Sequence, residues 1–316
     1  MAALGSTPLD ASAVAAAYNM AHTRLAVFDA GGRLGIWQRE GGAKSWALST
    51  SLAAEGLRIT CLAWAPTQFG SVVAGGASDG SLAVWTEAPG AAGWRLAAVL
   101  KESSLAVQDV AFAPPDLGPL LAAAYADGFV RLFEASELLV AASWELQNQF
   151  HVAGSSSSSS SSSGGAATAL SWRQPAPGLP PLLVAGTAQA GAQIWFYQQQ
   201  LMRWQLAATL GSPQDYGSKP VADVAWAPTL GRPSDIVAVA AGPTVLLWKL
   251  TGAADSLQVE QLARLQHTAG VWQIEWNMLG SWLAASTDGG EVCMWRPDLS
   301  GEWLLLNRIT GKPGAA

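Results

Sequence analysis

Fourteen of the sixteen tryptophans in this 316-residue chain stand in three columns that recur along it, and no other feature constrains the fold so tightly. One column, completed by a phenylalanine, follows a short alternating apolar run: Trp37, Trp85, Phe133, Trp195, Trp248 and Trp295. A second leads it: Tyr18, Trp64, Phe112, Trp172, Trp226 and Trp276. A third trails it at Trp46, Trp94, Trp144, Trp204 and Trp303. Only Trp272 and Trp282 stand outside. Successive members of the first column are 48, 48, 62, 53 and 47 residues apart, which is the spacing of a structural repeat rather than of a generic core.

The second unit shows what repeats. Arg58 to Trp64 alternates and breaks at Ala65-Pro66. Ser71 to Gly76 follows, then the turn Ser78-Asp79-Gly80, then the alternating Ser81 to Trp85, and finally Trp94-Arg95-Leu96. These are four short strands divided by turn residues. Asp-Gly suits a tight hairpin, because Gly tolerates positive φ and Asp bonds nearby backbone. It recurs as Asp127-Gly128 and Asp288-Gly289. Four strands per unit at this period specify a propeller blade, and six such units an all-β, six-bladed β-propeller. The blades run over about 9–55, 56–103, 104–150, 166–218, 219–266 and 267–310 of a single propeller domain. Residues 151–165, with nine consecutive serines (155 to 163), read as a flexible loop that cannot bury a core.

Composition removes other classes. Half the residues are hydrophobic and 13% are charged, with net charge −6, so disorder and binding of nucleic acid through a basic face are both disfavoured. Two cysteines allow at most one disulfide, and Cys61 and Cys293 read as small core residues. No apolar run reaches the length of a membrane span, and the N-terminus lacks a signal-peptide pattern. The reading is a soluble protein of a reducing compartment.

Catalytic and metal readings find no support. His22, His151 and His267 fall in different units, and there is no metal-ligand spacing, P-loop or nucleophile elbow. Asp79, Asp127 and Asp288 occupy one turn in three blades and read as structural. His267 stands about twenty residues before Asp288, and a resemblance to WD repeats implies a structural hydrogen-bond network between the two. Trp272 reads either as a surface anchor or as a blade cover. Catalytic residues, cofactor-binding residues and metal ligands are each expected to be none.

Three stretches carry a family resemblance: Val107 to Pro114 with Leu117 to Ala122, Ala126 to Ala135 and Trp144 to Gln147; Val221 to Arg232; and His267 to Asn277. The chain resembles the Sec-thirteen-homologue ("Seh-one") WD-repeat nucleoporins over about residues 10 to 310, most specifically in Ala-Pro-x-Leu-Gly-Arg (Ala227 to Arg232). Its Ala-rich first unit and its poly-Ser loop depart from that pattern. The resemblance implies an open propeller that an α-solenoid nucleoporin completes by inserting a blade. It further implies a non-catalytic scaffold role with other subunits of the Y-shaped nuclear pore complex, in support of nucleocytoplasmic protein and mRNA transport at the nuclear envelope. No direct contact with nucleic acid and no direct insertion into a membrane is expected. Two related readings stay open: a Sec-thirteen-like vesicle-coat subunit, and a subunit of a GATOR-type nutrient-signalling complex at the lysosome or vacuole periphery. A propeller enzyme or small-molecule binder is a third. Open propellers expose sheet faces at their ends. The candidate partner-binding residues are therefore Val14, Ala16, Tyr18, Leu34 and Ile36 in the first unit and Trp303 and Leu305, beside Leu304, near the C-terminus.

Overall fold

The computed structural model describes residues 12–39, 46–54, 56–88, 93–136, 143–152, 165–175, 179–189, 191–229 and 231–310. The poly-Ser run and Leu230 lie outside them. Within them are 24 strands in six antiparallel four-stranded sheets, each built from consecutive strands: the six blades of a β-propeller. Blade 1 holds β1 (Ala13–Tyr18), β2 (Arg24–Asp29), β3 (Arg33–Arg39) and β4 (Trp46–Ala53). Blade 2 holds β5 (Ile59–Trp64), β6 (Val72–Ala77), β7 (Ser81–Glu87) and β8 (Trp94–Lys101). Blade 3 holds β9 (Val107–Phe112), β10 (Leu120–Tyr125), β11 (Phe129–Ala135) and β12 (Trp144–His151). Blade 4 holds β13 (Ala167–Trp172), β14 (Leu182–Thr187), β15 (Ala192–Gln198) and β16 (Arg203–Leu210). Blade 5 holds β17 (Val221–Trp226), β18 (Asp235–Ala241), β19 (Thr244–Thr251) and β20 (Gln258–Gln266). Blade 6 holds β21 (Val271–Trp276), β22 (Leu283–Thr287), β23 (Glu291–Pro297) and β24 (Trp303–Thr310).

The chain divides into two compact units, Met1–Asp127 with Arg131–Gln149, and Gly128–Val130 with Phe150–Ala316. In the first unit one apolar cluster joins blades 1 and 2 (Phe28, Leu34, Ile36, Ile59, Trp85), and another joins blades 2 and 3 (Val84, Val107, Leu121, Phe133). In the second, one cluster joins blades 4 and 5 (Leu182, Ile194, Val221, Trp248) and one joins blades 5 and 6 (Leu247, Val271, Leu283, Trp303). Within each unit the core thus lies between consecutive sheets, where alternate strand residues of facing blades interdigitate.

Each aromatic column has its own physical task. The second and third columns pair inside the blade. Trp64–Trp94, Phe112–Trp144, Trp172–Trp204 and Trp276–Trp303 meet edge-to-face with centroids 5.6, 6.5, 5.7 and 5.7 Å apart, and Tyr18–Trp46 meet at 5.6 Å, tilted. The first column marks a bulge. The pairing of third and fourth strands shifts register just before Trp37, Trp85, Trp195, Trp248 and Trp295. Such a bulge sharpens the twist of the outer blade.

Polar staples tie successive inner strands together. Trp64 Nε1 donates to the Ala17 carbonyl at 2.8 Å, and Trp276 Nε1 to the Ala225 carbonyl at 3.0 Å, each reaching back one blade. In the other direction the Thr60 hydroxyl donates to the Val107 carbonyl at 3.0 Å. Ser171 Oγ accepts the Trp226 N–H at 2.9 Å, and Asp223 Oδ2 accepts the Ile274 N–H at 2.7 Å.

Candidate partner interface

Blade 1 has two unlike faces, set by register. Cross-strand partners share a face, and β1, β2 and β3 pair as Ala15–Phe28–Leu34 and Ala17–Ala26–Ile36 on one side. That side meets blade 2. Leu34 and Ile36 are 0% and 1% exposed within it, so their placement on a partner surface is corrected: they are core. The opposite side carries Ala16–Val27–Gly35 and Tyr18–Leu25–Trp37. There Val14, the residue at the bulge of β1, is 54% exposed, Tyr18 is 49% exposed, and Ala16 is exposed. Leu48 on β4 is also exposed, lying over Gly35 beside the Trp37 ring. The two mistaken residues have the right chemistry and the wrong parity, because a strand turns successive side chains to opposite faces.

In blade 1 the middle of that opposite side is closed, Leu25 and Val27 being 2% and 6% exposed, whereas blade 6 is more open. Strands β6 and β14 are buried throughout, whereas β22 alternates buried and half-buried residues, so one face of blade 6 lacks cover. That face carries Gln273 and Glu275 of β21, both exposed, then Ser286, Ala284, Val292, Met294 and Ile309. Trp303 is not on it: the ring is 8% exposed, edge-on to Trp276 in the core against blade 5, which corrects its assignment to a partner surface. Leu305 is exposed, but its partner Trp295 belongs to the side packed on blade 5, so Leu305 sits at the outer rim of that side. Leu304 and Ile309 are exposed opposite Arg296 and Val292.

The turn carboxylates do less than chemistry would need. Asp79 accepts the Ser81 N–H and hydroxyl and the Lys101 ammonium, each at 2.9–3.0 Å, and these bonds pull its pKa down to about 2. Asp127 pairs with Arg131 at 2.8 Å and accepts the Ser103 hydroxyl at 2.9 Å, while the Arg131 guanidinium lies 4.4 Å from the Tyr125 ring centre. Both acids precede a glycine at φ +84° whose N–H closes, in blade 2, onto Ala77. Asp288 is placed one residue earlier: in blade 6 it is Gly290 that takes positive φ and bonds Thr287. Asp288 is exposed and does not bond His267. The expected His267–Asp288 network is therefore corrected. His267 accepts the Trp295 indole N–H on Nε2 at 3.1 Å, and the Pro243 and Leu265 carbonyls act on the same ring. In blade 5 the hydroxyl of Tyr216 takes that role, accepting the Trp248 N–H at 3.1 Å and donating to the Leu210 carbonyl at 2.6 Å. Sequence reading missed Tyr216, because a tyrosine hydroxyl replaces an imidazole at an unmarked loop position.

The His267 geometry fixes a pH response. Burial lowers its pKa below the ordinary 6.5, with Glu291 and Arg308 the charged groups that act on the ring. The neutral ring is the folded form, since a proton on Nε2 would face the indole N–H. The unfolded chain binds the proton first, so stability is complete above about pH 6.5 and is lost as pH falls through the depressed folded-state value. Thermal unfolding followed by tryptophan fluorescence is expected to give a lower midpoint at pH 5 than at pH 7.5. That difference shrinks in His267→Gln, and an unchanged difference would remove His267 from the effect.

The Ala-Pro-x-Leu-Gly-Arg stretch has a mechanical role, with its Leu230 outside the described residues. Arg232 donates to the Pro228 carbonyl of its own loop and to the Gly280 carbonyl of the blade 6 loop, the latter at 3.0 Å. Beside it Asp235 holds the buried Arg173 at 3.5 Å and accepts the Trp226 indole N–H at 3.3 Å. Arg232 thus clasps the loops of blades 5 and 6.

Among the described residues no group of three or more His, Cys, Asp or Glu is placed to hold a metal. A family model described as "WD domain, G-beta repeat" matches residues 259–296, from β20 to β23. Protein SEH1 of Arabidopsis thaliana is 31% identical over 186 residues, 55% of this chain and 56% of that protein. Nucleoporin SEH1-A of Xenopus laevis is 27% identical over 198 residues, covering 58% and 51%, and human Nucleoporin SEH1 is 28% identical over 199, covering 58% and 51%. Over a little more than half its length the chain is similar to the SEH1 nucleoporins. The match spans about half the length of these relatives.

Proposed function

We propose that this chain is a non-catalytic scaffold subunit of the nuclear pore Y complex at the nuclear envelope. Its open propeller takes a blade from an α-solenoid nucleoporin, and the resulting pair joins the scaffold that supports nucleocytoplasmic transport. The observation that carries the reading is the exposure of Val14 and Tyr18, 54% and 49%, at the inner strand of blade 1 on the side away from blade 2. The repeat logic agrees. Trp64 and Trp276 in Tyr18's column each donate back to a preceding inner strand, and Tyr18 opens the first blade. An exposed apolar sheet face of this kind is a recognition surface.

The test is co-purification from native extract with this chain as bait, comparing wild type with Val14→Asp. Wild type is expected to retain the α-solenoid nucleoporin in stoichiometric yield. Val14→Asp is expected to lose it while its thermal midpoint stays within about 2 °C, as for a surface change. Equal recovery by a folded Val14→Asp would contradict the interface. Stoichiometric recovery of a vesicle-coat or nutrient-signalling partner in place of the nucleoporin would replace the pore assignment with one of those two readings.

A further inference from the structure

The staples between inner strands follow a positional rule that extends to the uncovered face of blade 6. Aligned by the bulge that all three share, β13, β17 and β21 read Ala167-Thr168-Ala169-Leu170-Ser171-Trp172, Val221-Ala222-Asp223-Val224-Ala225-Trp226 and Val271-Trp272-Gln273-Ile274-Glu275-Trp276. The fifth residue of β13, Ser171, accepts the N–H of the sixth residue of β17 at 2.9 Å. The third residue of β17, Asp223, accepts the N–H of the fourth residue of β21 at 2.7 Å. One acceptor at position five (Ser171) thus takes the N–H at position six of the next inner strand, and one at position three (Asp223) takes the N–H at position four. In β21 positions three and five hold Gln273 and Glu275. Both are exposed, both project from the side of blade 6 away from blade 5, and both carry oxygen acceptors two residues apart.

We infer that Gln273 and Glu275 form a backbone-capture site for the inner strand of an incoming partner blade. Resting on the reading above, the inference adds what that blade must offer: an extended strand running alongside β21, with two free N–H groups two residues apart. Recognition of this kind reads main chain and tolerates varied side chains. It excludes proline at the two donor positions, because proline lacks the N–H. Trp303 and Leu305 take no part.

The test uses the full-length chain and the recombinant α-solenoid nucleoporin of the same organism, with affinity read by calorimetry. Glu275→Gln keeps an oxygen acceptor and is expected to bind within about threefold of wild type. Glu275→Val and Gln273→Val each lose one acceptor and leave a partner N–H buried, so each is expected to weaken binding about tenfold, and the pair about a hundredfold. A merely structural role is separated by stability. Without partner, Gln273→Val and Glu275→Val leave the thermal midpoint unchanged, whereas Asp223→Ala, which breaks a staple within the chain, lowers it. A double variant that binds within threefold of wild type overturns the capture site while leaving the proposed function standing. A wild-type chain that does not bind the nucleoporin overturns both.

Discussion

Trp85→Ala is expected to lower the unfolding free energy by about 4 kcal/mol, near the top of what a single large-to-small change in a core costs. The ring is fully buried where blades 1 and 2 meet, packed with Phe28, Ile36, Ile59 and Val73. Neither sheet can move to fill the void, because each is held by its own ladder and by the Trp64–Ala17 staple. Trp85→Phe is expected to cost less than about 1.5 kcal/mol, since the ring it leaves still fills most of the site. The indole N–H it removes is buried without a partner, which offsets part of the loss. Urea unfolding of the three proteins, monitored by circular dichroism, checks the order. A cost for Trp85→Ala below about 1.5 kcal/mol would mean that the interface collapses onto the cavity.

The second large effect is Gly80→Val, expected to cost about 4 kcal/mol. Gly80 closes the hairpin between β6 and β7 at φ +84°, a region that a β-branched residue enters only under strain. A Cβ there would also meet the Leu105 carbonyl oxygen at 2.8 Å and, closer still, that of Ser103, both in the segment leading to β9. Backbone cannot yield as a flexible side chain does, so overpacking adds to the torsional strain. Gly290→Val in blade 6 is the control. It shares the positive φ (+72°), but nothing lies within 4 Å of its Cβ, so the strain stands alone at about 2 kcal/mol. Equal destabilisation of the two variants would show that the approach of the Ser103–Leu105 segment adds nothing.

Both predictions start from positions that the repeat marks, and neither magnitude can be read from the repeat. Trp37, Trp85, Trp195, Trp248 and Trp295 share a column, yet Trp85 and Trp195 leave the indole N–H unbonded, while Trp248 and Trp295 give it to Tyr216 and His267. The glycines after the turns share a conformation, yet only some meet the neighbouring segment. The column is a property of one strand, whereas the partner comes from a loop one blade earlier in the chain.

Sequence alone determined the six four-stranded blades, because the aromatic columns and turn residues are local and the strand period is two. It grouped Val14, Ala16, Tyr18, Leu34 and Ile36 as one partner-facing set in the first blade, without dividing them by face. Only the tertiary structure decided which parity of each strand meets a neighbour. That removed Leu34, Ile36 and Trp303 from the surface and gave Gln273 and Glu275 their place on it. The physical reason is that burial belongs to pairs of sheets. A residue type states what a side chain prefers, and the register of a facing blade, dozens of residues away, settles whether that preference is met.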